Sequence, residues 1–266
     1  MASHVLRRHG NHLWTNQCGA PCVDQGEKLG RHGRISATPA ESVYADGRWE
    51  GDEYHLTIQG RMKQVTFWGE NLTLTRRIHS RLGASSFRFE DEVENHGFDP
   101  VPLMFLYHVN IGFPLLSEES TIHIPSRKTV PMDASVDAGE FGRFHTPLPD
   151  APSQVFYHEA ASDSDGIVTA ALINERLPLG LYLRYSKDQL KNLVQWKMLG
   201  QGAYVVGIEP ANCHVEGRAA ERARGTLEFL PPGGKRQFHL ELGVLASEDE
   251  FRECRARIEG LTRRSS

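Results

Sequence analysis

Apolar and polar residues alternate with a period of two through most of this chain, which predicts β-strands rather than helices. Leu72, Leu74, Arg76 and Ile78 alternate with Thr73, Thr75 and Arg77. Phe87 and Phe89 alternate with Arg88 and Glu90, and the turn signal Asn95-His-Gly97 follows. Val101, Leu103, Phe105, Tyr107 and Val109 face one way, and Met104, Leu106, His108 and Asn110 the other. Both sets are largely apolar, so this run predicts one strand buried on both sides. The stretch from Glu53 to Phe67 reads as two short strands. Further strands are predicted at 120–124, 154–159, 167–174, 180–186, 193–199, 203–209, 224–230 and 236–245. The last sets Phe238, Leu240, Leu242 and Val244 against Gln237, His239 and Glu241. Turns such as Pro231-Pro-Gly-Gly234 separate them. Many short punctuated strands predict an all-β protein, an antiparallel sandwich or barrel.

One segment breaks the pattern. Ser247-Glu-Asp-Glu250 is a capping box, in which the Ser hydroxyl serves the third amide of a helix and the Glu reaches back. Phe251, Cys254, Ile258 and Leu261 then form one apolar stripe, expected to pack on a sheet as a C-terminal cover. Residues 131–152 are rich in Pro, Gly, Asp and Ser and read as a long excursion loop, a common place for function on a β scaffold.

The totals narrow the partners. The chain has 266 residues and a formal net charge of -4. It shows no basic stripe with interleaved aromatics, so nucleic acid is not an expected partner. It has no apolar run of the roughly 18 residues a membrane span needs. The first ten residues lack the apolar core of a secretory signal, so the expected location is cytoplasmic. Four cysteines, Cys18, Cys22, Cys213 and Cys254, are too few for a disulfide framework. Cys18-Gly-Ala-Pro-Cys22 carries a three-residue spacer, where a redox or zinc pair has two.

Two strings carry the chemistry. Tyr107-His-Val-Asn-Ile-Gly-Phe-Pro-Leu-Leu116 places His108 in apolar company. Val206-Gly-Ile-Glu-Pro-Ala-Asn212 places Glu209 where a carboxylate is partly desolvated, which raises its pKa and suits it to act as a base. A lone imidazole and a lone carboxylate on two strands suffice for acid–base proton exchange. The bland alternatives are a core histidine satisfied by the backbone and a glutamate paired with an arginine. His4, His9, His12, His79 and His96 sit in polar or turn-like surroundings and read as surface residues. In Leu29-Gly-Arg-His-Gly-Arg-Ile-Ser36, glycines flank His32 and Arg34 and allow close backbone approach to a ligand. Trp196 alternates with Gln195 and Lys197 and is either a stacking face for a sugar ring or a core residue. No phosphate-binding glycine loop, Gly-x-Ser-x-Gly elbow or cupin-like histidine set is present. Glu216 lies near Glu209, but nothing marks it as the second carboxylate of a glycosidase.

At these residues the chain resembles the aldose 1-epimerase, or galactose mutarotase-like, superfamily. Within it, the chain is most similar to a branch with Tyr-His-x-Asn-x-Gly and Gly-Ile-Glu-Pro strings. His-Gly-Arg-Ile, the His108 string, Gln-Trp-Lys-Met-Leu and Gly-Ile-Glu-Pro occur in the family's order, from about Gly19 to Val244. Characterised mutarotases usually have Asn where this chain has Tyr107, and Thr or Ser where it has Pro210. The resemblance implies a large twisted antiparallel β-sandwich, the galactose mutarotase-like supersandwich, with a short C-terminal helix. It implies one domain over 1–266, with fewer than 20 residues where the branch usually carries additional N-terminal strands. His108 is then the general acid and Glu209 the general base, with His32, Arg34, Asn110, Trp196 and Asn212 as substrate contacts. The partner is a small sugar or sugar derivative whose ring opens and recloses, with no metal or organic cofactor. Two alternatives stand beside this reading. One is a non-catalytic sugar-binding module. The other is a different sugar isomerase or lyase acting on an anionic sugar, which Arg34, Arg76 and Arg77 would favour.

Overall fold

The computed structural model describes residues 12–14 and 16–263. The expectations for the first ten residues and for the His4, His9 and His12 side chains fall outside them. The elements run β1 (His12–Trp14), β2 (Cys22–Asp24), β3 (Glu27–Leu29), β4 (Glu41–Glu50), β5 (Glu53–Val65), β6 (Asn71–Arg81), β7 (Ser86–Asn95), β8 (Val101–Leu103) and β9 (Leu106–Gly112). They continue with β10 (Thr121–His123), β11 (Ser126–Pro131), β12 (Gln154–Ala160), β13 (Ile167–Asn174), β14 (Leu179–Ser186), β15 (Asn192–Leu199) and β16 (Tyr204–Ala211). Helix α1 (Arg218–Arg224), β17 (Glu228–Leu230), β18 (Lys235–Leu245) and helix α2 (Glu248–Arg263) complete them. The expected all-β antiparallel architecture with a C-terminal helix is what forms. No helix among the described residues is long and apolar enough to cross a membrane.

The chain divides into two compact units. The first holds Tyr107–Ala211 and the chain from Leu242 onward. Here β9-β16-β15-β12-β11 form one sheet, and β10-β13-β14 a second. The last residues of β18 lie beside β14, where Gly180 and Gly243 leave room for Leu245 and the Tyr182 ring. Helix α2 lays Phe251, Cys254 and Ile258 on Ala171, Ile173 and Leu245, all buried. Its start is capped as expected: Ser247 Oγ accepts from the Glu250 amide at 3.3 Å, and Glu250 Oε2 accepts from the Ala246 amide at 2.7 Å.

The second unit holds Leu13–Leu106 and Asn212–Glu241. Strands β7-β6-β5-β4 pair antiparallel in that order, and β17–β8 and β2–β3 form two small ribbons. Leu72, Leu74 and Val93 are buried, and Phe105 stacks on Phe238 with ring centres 3.9 Å apart.

Four departures from the sequence reading have local causes. The strand expected over 101–110 is broken after Leu103, because buried Asn212 replaces the ladder there. Its Nδ2 donates to Leu103 O at 3.0 Å, and its Oδ1 accepts from the Phe105 amide at 2.7 Å. The two strands expected within 53–67 are one strand, β5, running through Gly60 in register with β6. The strand expected at 224–230 is confined to β17, because Ala-rich α1 runs to Arg224 and Gly225 closes it at φ 75°. Strand β4 was not anticipated. It is exposed along almost its whole length, and a two-residue Gly51-Asp52 turn sets its pairing with β5.

In the first unit, the register decides which side chains share a face. Val194 pairs with Glu209 and Trp196 with Gly207, so these four lie on one side of the sheet. Gln195 and Lys197 pair with Ile208 and Val206 on the other side. The excursion loop folds onto that second side. Gln195 Nε2 donates to Phe141 O at 2.8 Å, and Lys197 Nζ donates to the carbonyls of Glu140 and, at 2.9 Å, Arg143. Burial pulls the Lys197 amine down to about 8. His158 joins this layer through Gln195 Oε1 at 3.1 Å and Thr129 Oγ1 at 3.0 Å, and burial pulls its pKa down to about 4.

Three stability outcomes follow from this packing. Phe251→Ala should cost about 3–5 kcal/mol by opening a cavity under α2, and Ser247→Ala about 1 kcal/mol by removing its cap; chemical denaturation measures both. His158 is kept neutral in the fold, so the unfolded chain binds its proton more readily. Stability from this residue is present above its ordinary 6.5 and is lost as pH falls toward about 4. That window spans about 3 kcal/mol at 1.36 kcal/mol per pKa unit, and a His158→Gln variant should lack that share of the acid-induced loss in denaturation curves across the window.

Candidate functional site

Strands β9 and β16 are neighbours in the first-unit sheet and carry His108 and Glu209. The two side chains meet, with His108 Nε2 3.0 Å from Glu209 Oε1, although the approach is not aligned as a hydrogen bond. Glu209 is 2% exposed and His108 8%. Burial raises the Glu209 carboxyl well above its ordinary 4.5, because no solvent is at hand to stabilise the anion.

The neighbouring residues shape this pair. Trp196 sets its ring edge-on to His108 at 5.5 Å and donates its indole N–H to Ser153 Oγ at 2.7 Å. Asn110 follows His108 by two positions on β9 and so points to the same side. Its Oδ1 is buried and accepts no hydrogen bond from the described residues. A buried acceptor of this kind is available to a ligand donor. Carboxyl, imidazole, amide and indole therefore share one face of one sheet. Such a set can hold a polyhydroxylated ring and move protons to and from it.

Gly207 was missed as a site residue, although it stands within the Glu209 string. A Cβ at this position would collide with Glu209 Oε1 and stand 3.1 Å from His108 Cε1. The readable signal was a glycine inside an apolar strand, which marks close approach by another group.

The remaining expected contacts lie in the second unit. Asn212 has both ends of its amide engaged with the backbone of the β8–β9 break. His32 adopts a left-handed backbone at φ 60°, and its amide donates to Gly19 O at 3.1 Å. Arg34 extends to Glu70, with Nη1 2.8 Å from Oε1, and Nη2 lies 3.8 Å from Glu27. Arg76 grips buried Asp91 with two parallel 2.8 Å bonds, and Arg77 donates to Gln59 Oε1 at 2.8 Å. Each of these arginines already faces an acceptor.

Comparison with known proteins places this geometry in context. The sequence matches the family described as Domain of unknown function (DUF4432) over residues 14–244. No curated protein matches it. Among solved structures it is similar to a "putative aldose 1-epimerase" from Klebsiella pneumoniae. That likeness has a TM-score of 0.86 and 23% identity, and covers 97% of this chain and 71% of that one. It is also similar to the Slr1438 protein from Synechocystis, with a TM-score of 0.65, 18% identity and 88% and 78% of the two chains covered. A galactose mutarotase-like protein from Clostridium acetobutylicum matches with a TM-score of 0.58, 14% identity and 88% and 79% covered. The fold is thus that of the mutarotase-like β-proteins.

The fit around Gly207 gives a direct test of the pair. Gly207→Ala should drive the Glu209 carboxyl away from His108 and destabilise the protein by about 1–3 kcal/mol, as overpacking does. Denaturation together with a crystal structure of the variant would check both effects; an undisturbed Glu209 would contradict the expectation.

Proposed function

The chain belongs to the DUF4432 family, and from that premise together with the buried His108–Glu209 pair we propose that it interconverts sugar anomers as an aldose 1-epimerase-type isomerase. The observation that carries this reading is the direct juxtaposition of one carboxyl and one imidazole, beside an unsatisfied Asn110 Oδ1, on one sheet face. The mutarotase-like fold supports it.

The chemistry needs one proton shared between two groups. Glu209 takes the proton of the anomeric hydroxyl while His108 gives a proton to the ring oxygen. Both sugar oxygens are bonded to C1, so an acid and a base on one face reach both. The C1–ring oxygen bond breaks and a carbonyl forms at C1. Rotation about C1–C2 presents the other carbonyl face, and closure returns both protons with the roles reversed. A bound sugar enters by taking over the His108–Glu209 contact. Asn110 accepts a hydroxyl proton and Trp196 offers its ring to the sugar's C–H face.

A second reading has one observation in its favour. The pair is closed on itself and nearly solvent-free, which also fits a module that binds sugar without turning it over. An anionic sugar is the weaker substrate class. Arg34 and Arg76, which would favour it, are already matched by Glu70 and Asp91.

The test uses exchange NMR on a panel of neutral aldoses. Glu209→Gln should slow anomer exchange by roughly 10²–10⁴-fold, the usual share of a positioned acid or base, while binding changes little. Asn110→Ala should weaken binding first. In the wild type the raised Glu209 pKa means that the base form grows as pH rises, so exchange should accelerate with pH above the ordinary 4.5. Wild-type exchange in Glu209→Gln, on a sugar the protein binds, would overturn the mechanism in favour of the binding module.

A further inference from the structure

The second unit holds a cleft of about 780 Å³ that the proposed reaction does not use. Its volume falls within the range of small-molecule sites, roughly 300–1,000 Å³. Aromatic rings stand out from its rim. Phe67 is 86% exposed, Trp68 93% and Phe98 97%. Each such ring has of order 150–250 Å² to bury, and soluble proteins seldom leave a cluster of them in water without a use.

Both loops that carry these rings are pinned from below. Thr66 N donates to Glu70 O at 2.9 Å, and Thr66 Oγ1 donates to Glu70 Oε2 at 3.1 Å, which closes the turn behind Phe67 and Trp68. The buried Glu70 carboxyl is itself held by Arg34 at 2.8 Å and Gln64 at 3.2 Å. Gly69 is required there, since a Cβ would collide with Thr66 Oγ1. On the other loop, buried Asn95 accepts from the Gly97 amide at 2.9 Å and donates to Asp99 O at 2.9 Å and Leu230 O at 3.0 Å. The rings are thus displayed by turns that hydrogen bonds close from below. Phe67 and Trp68 meet edge to face at 4.7 Å.

The cleft's lining is net acidic, with Asp24, Glu27, Glu70 and Asp99 against Arg218 and Arg222. Asp24 receives Arg218 Nε at 2.6 Å and Arg222 Nε at 2.7 Å, and Arg218 also reaches Glu27. Arg222 lies over the Phe229 ring at 5.4 Å. Buried Asp24 accepts from both guanidiniums, so the polar groups left to a ligand are those of partly exposed Arg222 and Glu27, and the acidic balance disfavours an anion. Hydroxyl groups match such a wall, and flat C–H faces match the rings above it.

We propose that this aromatic-rimmed cleft binds a neutral oligosaccharide, with Trp68 and Phe98 as stacking platforms and Arg222 and Glu27 as the hydroxyl contacts. It is a binding site additional to the anomer reaction, and neither His108 nor Glu209 takes part in it. The probes are maltotetraose, cellotetraose and laminaritetraose, titrated by calorimetry and saturation-transfer NMR. At least one should bind, with transfer reaching aromatic protons. Trp68→Ala and Phe98→Ala should each weaken it by roughly tenfold, whereas Trp68→Phe should largely restore affinity and thereby exclude misfolding. Monosaccharide anomer exchange, measured in parallel, should be the same in all three variants, so failure of the cleft and failure of the epimerase reading are told apart. The proposal is overturned if none of the probes binds at millimolar concentration, or if binding survives both truncations. It is also overturned if the rings prove to serve self-association, seen as a dimer in sedimentation that Trp68→Ala abolishes without any effect on sugars.

Discussion

A carboxyl group held out of water beside an imidazole is the constraint around which the first unit's sheet is arranged. An isolated buried carboxylate is costly, so the group either keeps its proton or shares one with a partner. The titratable group beside it is His108, 3.0 Å away on the adjacent strand. The contact needs a strand position without a side chain between them, and Gly207 supplies it. It also needs β15 and β16 in a register that brings Trp196 opposite that glycine, which sets the indole and the imidazole in a T-shaped contact. A slip by one residue would turn Glu209 to the opposite side of the sheet and separate the pair.

The two sides of that sheet are put to different uses. One carries the titratable pair and the open amide of Asn110. The other fastens the 131–152 excursion through Gln195, Lys197 and His158, all buried and all bonded to backbone or to each other. The low pKa values of His158 and Lys197 are consequences of that fastening, since burial disfavours their charged forms. A sequence survey for function would stop at such residues; in the fold they anchor a loop.

The second unit solves a different problem with similar means. Arg34, Arg76 and Arg218 are each matched by a carboxylate on another segment, and each pair is buried on at least one side. The energetic worth of such pairs is small once desolvation is counted, but breaking one strands a buried charge. They therefore fix geometry. Arg34 illustrates this: it looks like a free cation between glycines, and in the fold it reaches Glu70 beneath the turn that displays Trp68.

The sequence by itself determined most of the strands, the antiparallel class, the capped C-terminal helix and the two residues that meet at the pair. Each is written in short-range terms: period-two alternation, a Ser-x-x-Glu box, and short strings around His108 and Glu209 that resemble a known family's. Elements whose identity depends on distant partners stayed hidden. Strand β4 buries none of its side chains and exists because β5 offers it a ladder. The break after Leu103 is imposed by Asn212, more than a hundred positions later. Only the tertiary structure decided that Gly207 makes room for a carboxyl, that Asn212 is engaged with backbone, and that Phe67, Trp68 and Phe98 gather at one cleft. The reason is that hydrogen bonding and close packing are satisfied between positions far apart in the chain, and local patterning holds no record of which distant group arrives.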